Sequence, residues 1–508
     1  MFIRDSMFIR DSMFIRDSMF VQRDVRMKNY DLIVIGTGSG MNYVNSIIDS
    51  NPKMKIAVID KDEPGGICLT RGCIPSKLLL YPAELVRELE TAPLFGIKLE
   101  IKDIEFRTIM ERMRRKIGED IEMIRQGLND SDYFDYYQEP AEFISPYTLR
   151  VGEETLHSEM IFLCTGSRPA LPPVVGLEEA GYLTSDTVLG LDECPKSLAI
   201  LGGSYIGAEY GHFFSAMGAE VTVIGRNPNF LPQEEPEISE LARIKMSEYM
   251  RILTNNEAIE VRKENNGQKT VLAKDRDSGQ ETKITVDEIL VATGRVPNTD
   301  LLHPERAGIK TDPQGWILVN EYLETSQPNI WAFGDANGKY LLKHVGNYES
   351  GIVYLNAIMQ EKVKADYHAV PHAVFAYPEI AGVGMSEKEA IEEFGEKRVL
   401  IGFKLFEDTA KGAAMEARDY FVKVILDGLE EKILGAHIIG PHASILIHEI
   451  IPLMYTASRS AKPMIQCMDI HPSLSEVVKR AFYSRLSPEH YHHVLKHLGL
   501  EEGDAVQG

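Results

Sequence analysis

The chain has 508 residues, with 76 acidic and 54 basic side chains and a formal net charge of −22. This charge argues against nucleic acids and anionic membrane surfaces as partners, while the length predicts roughly two to four domains. Five cysteines in so long a chain favour a cytoplasmic location, where a disulfide is more often catalytic than structural. No stretch is long and apolar enough to predict a transmembrane helix.

The N-terminus repeats a short unit, Met-Phe-Ile-Arg-Asp-Ser, three times. The period is too short for a solenoid, and the unit lacks the apolar run of a signal peptide. We therefore expect residues 1–27 to be a disordered or incorrectly assigned extension, with Met27 as a candidate for the true initiator.

A first dinucleotide-binding pattern follows this extension. An apolar strand at 30–35 runs into a glycine turn that contains Gly36, Gly38 and Gly40. A strand, a turn and a helix in this order predict a pyrophosphate held at the helix N-terminus. The next strand, 55–59, ends in Asp60, where a carboxylate would meet an adenosine ribose. The alternative for Asp60 is a solvated charge at the end of a strand.

The segment 65–77, Gly-Gly-Ile-Cys-Leu-Thr-Arg-Gly-Cys-Ile-Pro-Ser-Lys, holds Cys68 and Cys73. A disulfide between them requires Cα atoms within about 7 Å, and the neighbouring glycines permit so tight a turn. A thiolate at the start of a helix is stabilised by the helix dipole, and Lys77 adds a positive charge. The sequence predicts a redox-active dithiol. A buried structural pair or half of a zinc site is the alternative, and zinc would need two further ligands.

A second strand–turn–helix pattern begins at 197–201 and continues as Gly-Gly-Ser-Tyr-Ile-Gly-Ala-Glu. Its second strand, 221–224, ends in Gly225-Arg226, so the carboxylate that an NAD ribose requires is missing. Because a guanidinium suits a 2′-phosphate, the pattern favours NADP over NAD. A solvated Arg226 is the alternative, since no second basic residue follows closely in the sequence.

Two further features lie in the second half of the chain. A strand that ends in Gly334-Asp335 predicts an aspartate placed for a ribityl or ribose hydroxyl. From about residue 365, alternating strands and helices predict an antiparallel sheet with helices, in which Glu476 follows His471 by five residues. That spacing suits a base oriented by a carboxylate, and a solvated histidine is the alternative. We expect packing roles for His344, His437, His442 and His448.

These motifs resemble the pyridine nucleotide–disulfide oxidoreductases, the flavoprotein family of dihydrolipoamide dehydrogenase, glutathione reductase, mycothione reductase and mercuric reductase. The resemblance covers roughly residues 28–486 and implies an α/β fold with two Rossmann-like domains and a C-terminal α+β dimerisation domain. The implied division is 28–175 with 296–364 for FAD, 176–295 for NAD(P), 365–486 for dimerisation and 487–508 for a tail.

The resemblance also implies roles for single residues in the first two domains. Cys73 would lie against the flavin, and Cys68 would exchange with the substrate. Lys77 and Glu209 would form the ion pair beside the flavin N5, and Tyr205 would gate the nicotinamide pocket.

The remaining assignments concern the dimer and the cofactors. His471 and Glu476 would form an acid–base pair that reaches the dithiol of the partner subunit. The residues assigned to FAD are Gly36, Gly38, Gly40, Asp60, Gly66, Thr165, Gly166, Gly334 and Asp335. The residues assigned to NAD(P) are Gly202, Gly203, Tyr205, Gly207, Arg226 and Gly294.

Within the family, residues 1–29 and 501–508 carry no cysteine, which argues against mercuric and large thioredoxin reductases. We expect a homodimeric dihydrolipoamide dehydrogenase that acts on a small dithiol or on a lipoyl group of a carrier protein. A mycothione or glutathione reductase is the alternative within the family. An electron-transfer or quinone-reducing flavoprotein, with an incidental dithiol, is the alternative from another class. No metal is expected.

Overall fold

The computed structural model describes residues 27–500. The prediction for the extension therefore lies outside the described residues, apart from Met27. This residue opens the strand Met27–Asn29, which pairs in parallel with Glu154–His157. The described part of the chain thus begins with Met27 as part of a sheet.

The first module is a five-stranded parallel sheet that surrounds the first glycine turn. Two of its strands have the sequences Leu-Ile-Val-Ile and Ile-Ala-Val-Ile, and all eight residues are buried. Such uninterrupted apolar strands are typical of parallel sheets that are covered on both faces. The strands are, in order across the sheet, Ile330–Ala332, Ile161–Leu163, Leu32–Ile35, Ile56–Ile59 and Phe134–Tyr137. A smaller sheet shares its core and consists of Met27–Asn29, Glu154–His157, Thr148–Val151 and Ala141–Ser145.

The second module repeats this design around the second glycine turn. Its parallel strands are, in order, Leu183–Thr184, Glu288–Val291, Ser197–Leu201, Glu220–Ile224 and Arg251–Leu253. An antiparallel sheet that the sequence did not predict packs on it and contains Asn256–Lys263, Lys269–Asp275 and Glu281–Val286. The chain passes between the two modules through the paired strands Ser167–Pro169 and Arg295–Pro297.

The third module is a five-stranded antiparallel sheet, as the sequence predicted. Its two inner strands, Phe421–Asp427 and Ile433–Ile439, are buried at every position. The strand order is Pro371–Val374, Ile380–Gly384, Ile433–Ile439, Phe421–Asp427 and Val399–Leu405. The three modules together confirm the predicted fold class.

Helices cover these sheets, and none among residues 27–500 is long and apolar enough to cross a membrane. In the first two modules the α-helices are Val44–Ser50, Gly66–Thr70, Cys73–Thr91, Phe106–Asn129, Leu177–Ala180, Tyr205–Ala216, Pro236–Met246 and Lys343–Val353. In the third they are Glu387–Phe394, Ala410–Ala414, Ala443–Leu446, Ile451–Met454, Lys462–Gln466, Ser475–Ala481 and Pro488–Leu498.

The segment predicted as a tail, 487–508, contains the helix Pro488–Leu498. The Ser487 side chain accepts a hydrogen bond from the backbone N–H of His490 and so caps the helix. Tyr491 and Leu495, one turn apart, are buried in the main core. This i, i+4 apolar pair behind a capping serine was the local signal for the helix.

Candidate active site

A cavity of about 360 Å³ is lined by residues from the first two modules and reaches the third at Ala373. It brings together residues that are up to 338 positions apart in the sequence, from Ile35 to Ala373. The predicted site residues on its wall are Gly36, Gly38, Asp60, Gly66, Cys68, Cys73, Lys77, Thr165, Gly166, Tyr205, Glu209, Gly334 and Asp335. The other predicted site residues, Gly40, Gly202, Gly203, Gly207, Arg226, Gly294, His471 and Glu476, lie away from this wall.

The two cysteines lie on two separate helices. Cys68 is in the short helix Gly66–Thr70, and Cys73 is the first residue of Cys73–Thr91. The helical conformation is interrupted between them at Gly72, where an added Cβ would lie 2.9 Å from the carbonyl oxygen of Ile67. Both cysteines are free thiols in this structure. They are joined by a hydrogen bond between their side chains.

This hydrogen bond makes the two thiols chemically unequal. It lowers the pKa of Cys73 to about 7 against the opposing effect of burial, and the nearby charge of Lys77 lowers it further. The same bond and burial raise the pKa of Cys68 far above its usual range. When one proton is lost from the pair, the negative charge therefore resides on Cys73.

Lys77 and Glu209 form an ion pair beside the dithiol. The Lys77 Nζ lies 2.8 Å from both carboxylate oxygens of Glu209, and so links the helices Cys73–Thr91 and Tyr205–Ala216. Glu209 also accepts a hydrogen bond from the backbone N–H of Phe375, at 3.1 Å. The Nζ lies 4.6 Å from the centre of the Phe375 ring. All three modules thus meet at this pair.

The cavity wall fits a bound dinucleotide such as FAD in two respects. Gly36 has a φ of +112°, and a Cβ there would lie 2.2 Å from the carbonyl oxygen of Cys164. A Cβ on Gly66 would lie 2.5 Å from the Cα of Gly38, so the two turns touch and leave the cavity clear. The Thr165 hydroxyl is buried on this wall and has no hydrogen-bond partner among the described residues. A ligand atom in the cavity would satisfy it.

The two predicted aspartates are held in place by neighbours that the sequence reasoning did not single out. Asp60 accepts hydrogen bonds from the backbone N–H and the hydroxyl of Thr37, at 2.8 and 2.5 Å. Asp335 accepts one from the hydroxyl of Ser167, at 2.5 Å. Its neighbour Gly334 donates its N–H to the buried carboxylate of Glu349, at 2.6 Å. Asp60 is therefore an ordered part of the cavity rather than a freely solvated charge.

The second glycine turn has the same backbone requirement as the first. Gly202 has a φ of +126°, and a Cβ there would lie 2.1 Å from the carbonyl oxygen of Ala292. A Cβ on Gly207 would lie 2.0 Å from the carbonyl oxygen of Gly202. Gly203 accepts a hydrogen bond from the backbone N–H of Leu231, at 2.8 Å, which holds the following loop against the turn.

Arg226 is exposed at the end of the second strand of this module, and a second arginine lies beside it. Arg276 donates a hydrogen bond from its guanidinium to the carbonyl oxygen of Arg226, at 3.0 Å. It follows the strand Lys269–Asp275, fifty positions away in the sequence. The sequence reasoning missed it because the antiparallel sheet that carries it was not predicted.

His471 and Glu476 lie together as the sequence predicted, with 3.0 Å between Nδ1 and a carboxylate oxygen. Glu476 is buried and also accepts hydrogen bonds from Arg480 and from the backbone of Ser473. The hydrogen bond with His471 is the main reason that the pKa of Glu476 is lowered. The His471 side chain is 67% exposed and does not line the cavity of its own chain.

Two of the other histidines, for which packing roles were expected, pair with backbone carbonyl groups. His344 pairs with the carbonyl oxygen of Pro371 at 2.7 Å, and His437 with that of Met385 at 3.0 Å. The sequence reasoning missed two residues of this region. The ring of His372 stacks on Tyr205, and Lys343 lines the cavity.

Comparison with known proteins agrees with these features. Residues 30–360 match the family model described as pyridine nucleotide-disulphide oxidoreductase, and residues 370–482 match its dimerisation domain. A chain with two glycine turns of the dinucleotide-binding type and a dithiol beside the first of them is typical of a class of redox flavoproteins. The chain belongs to the pyridine nucleotide–disulfide oxidoreductase family, whose members bind FAD and use NAD(P)H.

Curated relatives cover most of the chain. Mycothione reductase from Mycobacterium tuberculosis is 35% identical over 473 residues, which are 90% of this chain and 99% of the relative. Dihydrolipoyl dehydrogenase from Chlamydia pneumoniae is 33% identical over 462 residues, 89% and 95% of the two chains. Among solved structures, the HOCl-induced flavoprotein disulfide reductase RclA from Escherichia coli matches with a TM-score of 0.78 and 27% identity. That match covers 89% of this chain and 99% of RclA.

Proposed function

We propose that the protein transfers electrons between NAD(P)H and a small dithiol or disulfide, with dihydrolipoamide as its first candidate substrate. The observation that carries the proposal is the unequal pair of thiols on the cavity, with the Lys77–Glu209 ion pair next to it. A structural cysteine pair would have no need of a thiol whose pKa is lowered to about 7.

FAD, when bound in the cavity, supplies the two-electron carrier between nicotinamide and disulfide that no side chain can provide. In the direction of dihydrolipoamide oxidation, a substrate thiolate attacks Sγ of Cys68 in the Cys68–Cys73 disulfide and releases Cys73 as a thiolate. The second substrate thiolate then attacks the substrate sulfur of the mixed disulfide and releases Cys68. The substrate leaves as a disulfide, and its two electrons remain in the dithiol. His471 accepts the protons of the attacking thiols, and Glu476 holds its ring.

His471 would serve the dithiol of a second copy of the chain in a homodimer. The dimerisation-domain match and the exposed histidine ring both support this arrangement. An apolar face on the helix Cys73–Thr91, formed by Tyr81, Leu85 and Leu89, is exposed in the single chain and would be covered by the partner.

Dihydrolipoamide is favoured by the surroundings of His471. Met468 and Ile470 are 97% and 80% exposed, so the surface next to the histidine is apolar. The charges nearby are already paired, Asp469 with Lys479 and Arg480 with Glu476. An uncharged lipoyl chain suits such a surface better than a charged peptide disulfide does. A low-molecular-weight disulfide is the second candidate, supported by the 35% identity to mycothione reductase.

NADP(H) is the proposed nicotinamide cofactor. Arg226 and Arg276 supply two guanidinium groups at the strand end where an NAD-binding module would place a carboxylate. Together they would bind a 2′-phosphate through charge-assisted hydrogen bonds.

The experiment is a steady-state assay of the purified enzyme with lipoamide, dihydrolipoamide, mycothiol disulfide and glutathione disulfide, under each nicotinamide cofactor. We expect the highest kcat/KM for the lipoyl pair, and Cys68→Ser should abolish it while FAD stays bound. Turnover of a quinone with no turnover of any dithiol or disulfide would contradict the proposal.

The shared site has its own test. His471→Ala should lower the rate about 10²–10⁴-fold. Mixed dimers of His471→Ala and Cys68→Ser chains should regain activity, because one of their two sites is intact. Verified mixed dimers without activity would contradict the shared site.

A further inference from the structure

The loop before the helix Pro236–Met246 lies against the second glycine turn at three successive positions. The backbone N–H of Leu231 donates to Gly203, at 2.8 Å, and the Ser204 hydroxyl donates to the Gln233 side chain, also at 2.8 Å. The third contact brings the buried carboxylate of Glu234 next to the Tyr205 side chain, whose pKa is raised by burial and by this carboxylate. The loop therefore follows the turn residue by residue and ends at Tyr205.

Glu234 is an unusual residue for such a contact because its side chain is fully buried. A buried carboxylate needs a compensating charge, and His372 supplies it, with Nε2 3.0 Å from one carboxylate oxygen and 3.1 Å from the other. Burial would lower the pKa of His372, but its attraction to Glu234 raises it overall. The imidazole ring also stacks on the Tyr205 ring, at 6.0 Å between centres and 12° between planes.

Tyr205 is thus held on two sides by residues of different modules. Glu234 belongs to the second module, and His372 lies on the strand Pro371–Val374 of the third. Tyr205 itself lines the cavity together with Lys77 and Glu209. Its ring position depends on groups that the cavity does not contain.

The loop that carries Glu234 is anchored to the third module by a buried ionic cluster, Lys423 with Glu235, Glu237 and Glu387. The Lys423 side chain is 0% exposed, and its Nζ lies 2.6 Å from Glu237 and 2.7 Å from Glu387 and also contacts Glu235. Glu235 follows Glu234 directly. The carboxylate next to Tyr205 is therefore fixed by its backbone neighbour as well as by His372.

We propose that Glu234 is a positioning residue that, together with His372, fixes the Tyr205 side chain and thereby sets the affinity for the nicotinamide dinucleotide. This inference rests on the role proposed for Tyr205 at the nicotinamide entrance. On this inference, Glu234 and His372 keep the Tyr205 side chain in position, and they act through the tyrosine rather than by contacting the cofactor.

The test is a double-mutant cycle on the FAD-loaded enzyme with Glu234→Gln, Tyr205→Phe and both together. We expect Glu234→Gln to raise the KM for the nicotinamide cofactor about tenfold, the typical loss of a charged hydrogen bond, with little change in the KM for the disulfide. Because Glu234 acts through the Tyr205 hydroxyl, Glu234→Gln should add almost nothing in the Tyr205→Phe background.

Asp427→Asn is the matched control, since Asp427 is also a buried carboxylate but pairs with Arg398 rather than with Lys423 or Tyr205. We expect it to lower the melting temperature and leave both KM values unchanged. If Glu234→Gln does not fold, Glu234→Asp keeps the charge and shortens the side chain by one methylene group, and its cycle with Tyr205→Phe should show the same non-additivity.

Two results would overturn the inference in different ways. Additive effects of the Glu234 and Tyr205 substitutions would show that Glu234 does not act through the tyrosine, while the proposed role of Tyr205 would stand. Unchanged nicotinamide kinetics in Tyr205→Phe and Tyr205→Ala would remove the role of the tyrosine itself, and the inference would fall with it.

Discussion

The two glycine turns have almost the same backbone and opposite charges at the same structural position. Gly36 and Gly202 have φ values of +112° and +126°, and a Cβ on either would lie about 2 Å from a carbonyl oxygen at the end of a neighbouring strand. Each turn follows the central strand of a five-stranded parallel sheet. The fold itself imposes these glycines, because any side chain would collide with the sheet.

The second strands of the two modules end differently. In the first module the strand ends in Asp60, whose carboxylate is oriented by Thr37. In the second it ends at Arg226, with Arg276 beside it. Backbone geometry is therefore what the two turns share, whereas the residue after the second strand differs in charge, and on our proposal it distinguishes a ribose hydroxyl from a phosphate. A glycine pattern alone carries no information about which cofactor binds.

The largest effect is expected from an added methyl group at either turn. Gly36→Ala should yield protein without FAD, since the Cβ would lie 2.2 Å from the carbonyl oxygen of Cys164. Gly202→Ala should keep FAD and lose reduction by the nicotinamide cofactor, while dithionite still reduces it. Flavin absorbance per mole of protein, followed by anaerobic reduction, measures both.

Gly181→Ala is the control for the glycine substitutions. Gly181 also has a positive φ, of +77°, but nothing lies within 4 Å of its Cβ position. We expect a loss of about 1–3 kcal/mol in the free energy of unfolding, with cofactor binding intact. Normal FAD content in Gly36→Ala would contradict the steric argument.

The next effect concerns the charge at the second strand end. Arg226→Glu should reverse the order of kcat/KM for the two nicotinamide cofactors. A charge-assisted hydrogen bond of about 1.5–3 kcal/mol corresponds to a roughly tenfold to hundredfold preference for NADPH in the wild-type enzyme. Arg262→Glu makes the same charge change at an exposed site of the same module and should not alter the order. A wild-type enzyme that prefers NADH would contradict the assignment.

The third prediction concerns the reactivity of the dithiol, which lies beside the first glycine turn and not beside the second. In the reduced protein, alkylation of Cys73 by iodoacetamide should fall as the pH drops below about 7, because its pKa lies at about 7 and only the thiolate reacts. Cys68 should react only at much higher pH, since its pKa is raised. Mass spectrometry of peptides over a pH series gives both profiles.

Cys194 serves as the control for alkylation, because burial raises its pKa to about 11. Lys77→Met should move the Cys73 profile to higher pH by removing a positive charge. Equal profiles for Cys68 and Cys73 would remove the distinction between the two thiols.

The smallest effect is expected from the group that orients Asp60. Thr37→Val removes one hydroxyl hydrogen bond and keeps the shape of the side chain. We expect FAD to bind about threefold to tenfold more weakly, as the loss of one neutral hydrogen bond predicts. Thr270→Val, on the exposed surface of the antiparallel sheet, is the control and should leave FAD binding unchanged. An unchanged dissociation constant in Thr37→Val would show that the carboxylate needs no such support.

Local sequence patterns predicted the parts of the fold that depend on neighbouring residues. The strand Ser197–Leu201 has the predicted bounds because every residue after its first is apolar. Met110 and Met113 lie three positions apart on the helix Phe106–Asn129 and are both buried, as a helical spacing of apolar residues predicts. By contrast, the strand Asn256–Lys263 has mostly exposed or half-buried residues, so its sequence gave no apolar alternation to detect.

The residues of the candidate site also fall into those that local sequence patterns predicted and those that they did not. The cysteines, glycines and aspartates were found because each lies in a short motif with a fixed spacing. Arg276, Glu234 and His372 were missed because their contacts join residues 50 to 138 positions apart. Nothing in the local sequence reports which distant strand will bring a charged side chain to a turn, and only the packing of the modules determines it.

The buried Lys423 affects how the protein unfolds. Separating the second and third modules would leave Glu235 and Glu237 without the ammonium group that compensates them. Breaking a buried ionic contact by removing one partner costs about 3–5 kcal/mol, so partial opening at this interface is disfavoured. The two modules should therefore melt in a single cooperative transition, and calorimetry should resolve no separate peak for either.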